Sequence, residues 1–306
     1  MIRIGVDSKK TKVRLVGGLG NQLFIYFAGL YLSEKLKSKL VCDLSHLDLD
    51  RTKHGVSITS FNLAGEFVRK PRHSVGVLRK MERFASHLSH KSSCFKRLYQ
   101  KTTKFYLSTG IGYDPELENI CENVVLRGYF QTWKYVRALQ NDKEFALTVR
   151  NPSPWFVQQR LIAEETRPII IHVRQGDYRD DVNAFIGVLG PDYYRKALLE
   201  MRNANINGPV WVFSDEVESA KFILGLDFAD DVKWIVAPKG VDPAEELAIM
   251  QFGGGHIIAN STFSWWGAYF SQSSKLVIAP ESWFKGQSEP LDLIPPDWKR
   301  IENDWL

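Results

Sequence analysis

A chain of 306 residues exceeds the usual size of one domain, so two cores are expected. With 44% hydrophobic and 25% charged residues, the composition is that of a folded globular protein, not a disordered or fibrous one. Three cysteines, Cys42, Cys94 and Cys121, are too few to frame a disulfide scaffold or a zinc cluster. The most apolar run, Leu23 to Leu32, is about half of the ~20 residues of a bilayer span, and the first residues lack the apolar core of a secretory signal. A cytoplasmic enzyme is the expectation.

The net charge of +5 hides an asymmetry. Between Arg69 and Lys104 eleven Lys and Arg stand against the single acid Glu82, a net of +10 that leaves −5 on the rest of the chain. Such a segment is either a solvated basic helix pair or a peripheral contact with an anionic membrane. Leu78, Met81, Phe84, Leu88, Phe95, Leu98 and Tyr99 interleave with its charges at roughly helical spacing. No nucleic-acid module accompanies it, so nucleic acid is not expected as a partner.

In chain order, a short strand at Val13 to Val16 runs into Gly17-Gly18-Leu19-Gly20-Asn21-Gln22. A helix from Leu23 to Leu36 and a strand at Leu40 to Cys42 follow, which is the repeating unit of a parallel α/β sheet. Asn151-Pro152-Ser153-Pro154 is the strongest break and places the domain boundary. The domains expected are residues 1–153, with a basic helical insertion at about 66–106, and residues 154–306. In the second, strands are read at 168–173, 210–213, 234–237, 256–259 and 276–280, and a helix at 193–202. Another helix runs to about Phe252, with Asp242 as N-cap, Pro243 in its first turn and Glu245 as a capping-box acid. Gly253-Gly254-Gly255 stops it, and residues 265–271 look helical. Strands alternating with helices predict a doubly wound sheet.

In such sheets ligands sit beyond the carboxyl ends of the strands, and three of these ends are dense in polar groups. They are His172-Val173-Arg174-Gln175-Gly176-Asp177-Tyr178, Ser214-Asp215-Glu216 and Asn260-Ser261-Thr262-Phe263-Ser264. A guanidinium, hydroxyls at a helix start and carboxylates for a ribose or base edge suit a sugar nucleotide. Taken singly, each cluster also reads as a capping turn or, for Arg174, as an ion pair with Asp177. The glycine turn lacks the third glycine of a dinucleotide fingerprint and the lysine of a phosphate loop. It reads instead as a close backbone approach to a ligand, with the Asn21 amide as donor or acceptor. Asp48-Leu49-Asp50 does not end an apolar strand, and His54, His73, His87 and His90 lack ligand spacing, so no metal site is expected.

Three motifs together resemble the α-1,2-fucosyltransferase family, glycosyltransferase family 11. They are Gly17 to Phe24, His172 to Tyr178, and Ala259-Asn260-Ser261-Thr262-Phe263-Ser264-Trp265-Trp266-Gly267-Ala268. The resemblance implies a GT-B fold of two Rossmann-like doubly wound domains facing a cleft, the first on the acceptor side and the second binding GDP-L-fucose. It implies inverting transfer to the 2-hydroxyl of a terminal β-galactoside, without a required metal. It assigns Arg174 to the donor diphosphate, and His172 with Asp215 or Glu216 to guanine and ribose. Ser261, Thr262 and Ser264 fall at the phosphates and Asn260 and Phe263 elsewhere in the donor site, with Asn21, as a catalytic and donor-binding residue, and Gly18 and Gly20 contributing from the first domain. Asp177 is the candidate base or a residue that orients Arg174. Many members carry a second arginine where this chain has Gln175. The acceptor implied is a surface-polysaccharide (O-antigen) precursor, in keeping with a lipid-diphosphate-linked glycan at the inner membrane face.

Overall fold

The structure is a computed structural model. It describes residues 9–47, 57–69, 105–108, 110–121, 124–140, 146–179, 185–225, 228–229, 231–290 and 292–306, without the side chains of Asp177 and Arg179. The chain packs as two units. One comprises residues 1–59, 63–144 and 290–293, the other residues 60–62, 145–289 and 294–306.

The first unit is a parallel sheet in the order β3-β2-β1-β5-β4. Its strands are β1 (Lys10–Arg14), β2 (Lys39–Asp43), β3 (Glu66–Val68), β4 (Phe105–Leu107) and β5 (Val125–Arg127). Helix α1 (Leu19–Lys35) connects β1 to β2, and α2 (Trp133–Leu139) follows β5. The strand read at 13–16 begins earlier, because Lys10 and Lys12 point to solvent while Thr11 and Val13 turn inward and pair along β2. Apolar residues on almost every face of α1 are buried, as in a helix enclosed by its domain. That helix also begins four residues before the Leu23 read from hydrophobicity. Gly17 (φ +73°) turns the chain and Gly18 is the N-cap. Gln22, a polar residue inside the first turn, folds back to donate from Nε2 to the Gly17 carbonyl (2.9 Å).

The second unit holds six parallel strands in the order β11-β10-β9-β6-β7-β8. These are β6 (Ile169–Val173), β7 (Val210–Ser214), β8 (Val232–Trp234), β9 (Gly255–Ile257), β10 (Val277–Pro280) and β11 (Lys299–Ile301). The helices are α3 (Pro154–Thr166), α4 (Pro191–Asn203), α5 (Val217–Leu224), α6 (Pro243–Met250) and α7 (Thr262–Tyr269). Central β6 is buried along its whole length and alternates its faces. Ile169, Ile171 and Val173 join Tyr193, Ala197 and Met201 of α4 and Ala220 of α5 in one core. On the opposite face Ile170 lies against Gly253, and His172 lies near the ring of Phe263 in α7. Helices therefore cover both faces, so each unit is a Rossmann-like α/β layer structure, the composition of a GT-B fold.

Three local readings change. Asp242 caps α6 through its side chain on the Ala244 N–H (2.9 Å), but Glu245 does not close a capping box. Its carboxylate accepts instead from the N–H and hydroxyl of Ser153, the N-cap of α3, because Glu245 is buried against that helix start. The strand read at 234–237 lies at Val232–Trp234, since beyond the Ile235 N–H bond to Val212 the chain reaches Pro238, which has no donor to continue the ladder. Strand β11 carries no apolar run. It is held at the edge by pairing with β10 and by a two-pronged Arg300–Glu289 ion pair (2.7 and 3.0 Å).

Among the described residues no helix is long and apolar enough to cross a membrane. Residues 70–104 of the basic segment, with His73, His87, His90 and Cys94, lie outside the described residues, as do Asp48, Asp50 and His54.

Candidate active site at the carboxyl edge of the second sheet

Strand register brings the second unit's polar clusters together. β6 and β7 pair through Val173 and Ser214, so the next residues, Arg174 and Asp215, emerge side by side. Arg174 Nη1 lies 3.2 Å from Asp215 Oδ2, with the two side chains 19% and 24% exposed. The other oxygen, Oδ1, accepts the Gln175 N–H (3.1 Å). Gln175 itself is fully buried. Tyr178, in the 3-10 turn at 176–179, places its ring 5.4 Å from the guanidinium carbon and donates its hydroxyl to the Asn260 carbonyl (3.2 Å). The β6 turn is thereby tied to the loop after β9. Glu216 is the exposed N-cap residue of α5.

His172 is buried, and burial together with the Arg174 charge presses its pKa down from 6.5 to about 3. The imidazole is neutral at physiological pH. Its Nδ1 is enclosed and has no hydrogen-bond partner among the described residues.

The Asn260–Ser264 cluster divides into structural and exposed parts. Asn260 is buried and donates from Nδ2 to the carbonyls of Ile186, Gly187 and Trp283 (2.9, 3.1 and 3.2 Å), so its amide clamps two loop segments. Ser261 is the N-cap of α7 and accepts the Phe263 N–H. Ser264 is buried with its hydroxyl on the Ser261 carbonyl, while Thr262 and Phe263 are partly open. No acid occupies the first turn of α7, so the positive end of its dipole is not neutralised locally. The tryptophans that make the motif conspicuous are core. Trp265 stacks on Tyr269 (4.6 Å), Trp266 on Phe270 (5.3 Å), and both tryptophans are fully buried.

In the first unit Gly20 is buried inside the opening of α1, and Asn21 Oδ1 accepts from Gln131 Nε2 (2.9 Å). That bond orients the Asn21 amide with Nδ2 on the side of Gly17, where an added Cβ would lie 2.9 Å away. The roles of Gln131 and of Gly176 went unread from the sequence. A glutamine four residues beyond a strand carries no signal of its own, whereas a glycine directly after His-x-Arg-Gln was visible but not its reason. Among the described residues no group of three or more His, Cys, Asp or Glu is arranged to hold a metal ion.

The chain is similar to several known proteins. Among similar sequences, the O-antigen biosynthesis glycosyltransferase WbnK of Escherichia coli is 29% identical over 300 residues, covering 90% of this chain and 95% of that protein. An alpha-1,2-colitosyltransferase of Escherichia coli is 27% identical over 298 residues, covering 94% and 98%. Among solved structures, fucosyltransferase NodZ from Bradyrhizobium is 15% identical with a TM-score of 0.45, covering 85% of this chain and 92% of that one. The glycosyl transferase family 9 protein of Veillonella parvula is 12% identical with a TM-score of 0.48, covering 96% and 85%. The family model for glycosyl transferase family 11 matches residues 127–302, more than half of the chain and all of the polar strand ends described above. The chain belongs to glycosyl transferase family 11 and is a glycosyltransferase.

Proposed function

We propose that this enzyme transfers L-fucose from GDP-β-L-fucose to the 2-hydroxyl of a terminal β-galactoside, with inversion, on a surface-polysaccharide precursor. The observation that carries the reading is the half-buried Arg174 guanidinium, held at the carboxyl end of the central strand in a turn that Tyr178 ties to the loop leading into α7, whose first turn carries no acid. Family membership and two E. coli relatives, one named for O-antigen biosynthesis and one for an α-1,2 transfer, support it. A lipid-diphosphate-linked acceptor suits the +10 charge of residues 69–104.

In this reading the acceptor oxygen attacks the anomeric carbon while the bond to the β-phosphate oxygen breaks and its electron pair leaves with GDP. Arg174 meets the charge that develops on the leaving group, and Ser261, Thr262 and the N–H groups that open α7 add donors. Neutral His172 serves as a hydrogen-bonding group for the nucleotide, not as a proton shuttle. Asp177 takes the acceptor's proton. Its backbone is in the turn that follows Arg174, and its side chain lies outside the described residues.

A second reading is favoured by the colitosyltransferase relative: the same site with a nucleotide-activated colitose as donor in place of GDP-fucose. Incubation with each donor and a panel of β-galactosides, followed by linkage analysis and repeated with chelator, separates the two. Fucose in α-1,2 linkage, formed equally well with chelator, is expected. Arg174→Ala is expected to lose about a hundredfold in rate, on the order of 3 kcal/mol, with the fold intact. A folded variant keeping more than half its activity would remove Arg174 from the site.

A further inference from the structure

We infer that Asp215 is a positioning residue for Arg174 and that Gly176 exists to leave room for it; the inference rests on the assignment of Arg174 to the donor diphosphate. Both carboxylate oxygens are committed. Oδ2 holds the guanidinium (3.2 Å) and Oδ1 holds the Gln175 N–H (3.1 Å), so one side chain fixes both the charged group and the backbone that carries it. A Cβ built on Gly176 would lie 2.4 Å from Asp215 Oδ2, too close for a non-bonded carbon and oxygen, so the carboxylate would have to move. The φ of Gly176 is not in the left-handed region, so glycine is needed there for space, not for conformation.

An acid near a diphosphate repels it, yet this carboxylate sits beside the cation that binds it. The arrangement is sensible where orientation matters more than net charge. The carboxylate holds the guanidinium at Nη1 and restricts the rotamers of Arg174, so the cation is kept in one orientation. Loss of the carboxylate therefore has opposed effects: less repulsion of the bound donor and poorer alignment with the leaving phosphate. The first favours ground-state binding and the second slows chemistry, so the change falls on kcat and not on the donor KM. A residue reading the ribose or base directly would do the reverse.

The test is a mutant cycle in which kcat and the donor KM are measured, with circular dichroism and melting temperature as controls for folding. Asp215→Asn, which keeps an acceptor for the Gln175 N–H, is expected to lower kcat about tenfold with KM changed less than twofold. In an Arg174→Ala background the same substitution is expected to change nothing further. Gly176→Ala is expected to cost about tenfold alone and nothing once Asp215→Ala has removed the obstructing oxygens. Equal losses from Asp215→Asn in both backgrounds, a raised donor KM, or a Gly176→Ala loss that persists without the carboxylate would overturn the inference. The Arg174→Ala single variant reports on the diphosphate assignment alone. If it keeps full activity, that assignment fails and this inference fails with it; if it is impaired, the other results judge Asp215 separately.

Discussion

Acidification should unfold the second unit through two histidines that the fold keeps neutral. His172 and His256 are both buried, and burial lowers their pKa values from 6.5 to about 3 and about 4. In the unfolded chain each takes a proton near pH 6.5, whereas in the folded chain each does so only well below that. Below pH 6.5 the unfolded state therefore binds more protons. Stability falls as pH drops, levelling near pH 4 for His256 and near pH 3 for His172. One proton of difference is worth about 1.4 kcal/mol per pH unit, so at pH 4.5 each histidine costs about 2.7 kcal/mol and the pair about 5 kcal/mol. That equals the lower end of a whole domain's stability. All tryptophans except Trp133 belong to the second unit, so urea unfolding followed by tryptophan fluorescence reports on it. Carboxylates add their own slope, so the decisive measurement is the difference between wild type and His256→Gln from pH 6 to 4.5. The variant's stability should fall less steeply by about 1.4 kcal/mol per pH unit. Parallel curves would show that His256 is already charged in the fold, and would refute the argument from burial.

Further outcomes follow from single contacts. Asn260→Ala removes the donor that three loop carbonyls share and should cost about 3 kcal/mol, read as a lowered melting temperature and not as a change in donor KM. An unchanged melting temperature would return Asn260 to the role of a ligand-binding amide. Gly29→Ala in α1 sets two effects against each other. Alanine gains about 1 kcal/mol in helix propensity. Its Cβ, however, would lie 2.2 Å from Val13 Cγ1. Overpacking costs about 1–3 kcal/mol, so net destabilisation in urea is expected, and a stabilised variant would contradict the close packing of α1 on β1.

Sheet type and the polar strand ends were legible in the sequence because buried parallel strands are continuous apolar runs closed by polar turns. Ile169-Ile170-Ile171 and Val210-Trp211-Val212-Phe213 carry that signal without help from tertiary structure. The start of α1 was read late, since Asn21 and Gln22 look like loop residues until Gln22 is seen bonding back to Gly17. Strand β11 was invisible, because Lys299-Arg300-Ile301 is held by its neighbour and by Glu289, not by its own hydrophobicity. The Asn-Ser-Thr-Phe-Ser-Trp-Trp run reads as one binding motif, but packing places its tryptophans and Asn260 in the interior.

Local order along the chain is a property of each residue and its near neighbours, so the sequence alone determined where strands end and which chemistry collects there. Which acid faces which base is a property of register between strands that are forty residues apart. Only the pairing of β6 with β7 decided that Arg174 meets Asp215, and that glycine must follow at 176. Side-chain partnership across a sheet depends on distances that no spacing along the backbone encodes.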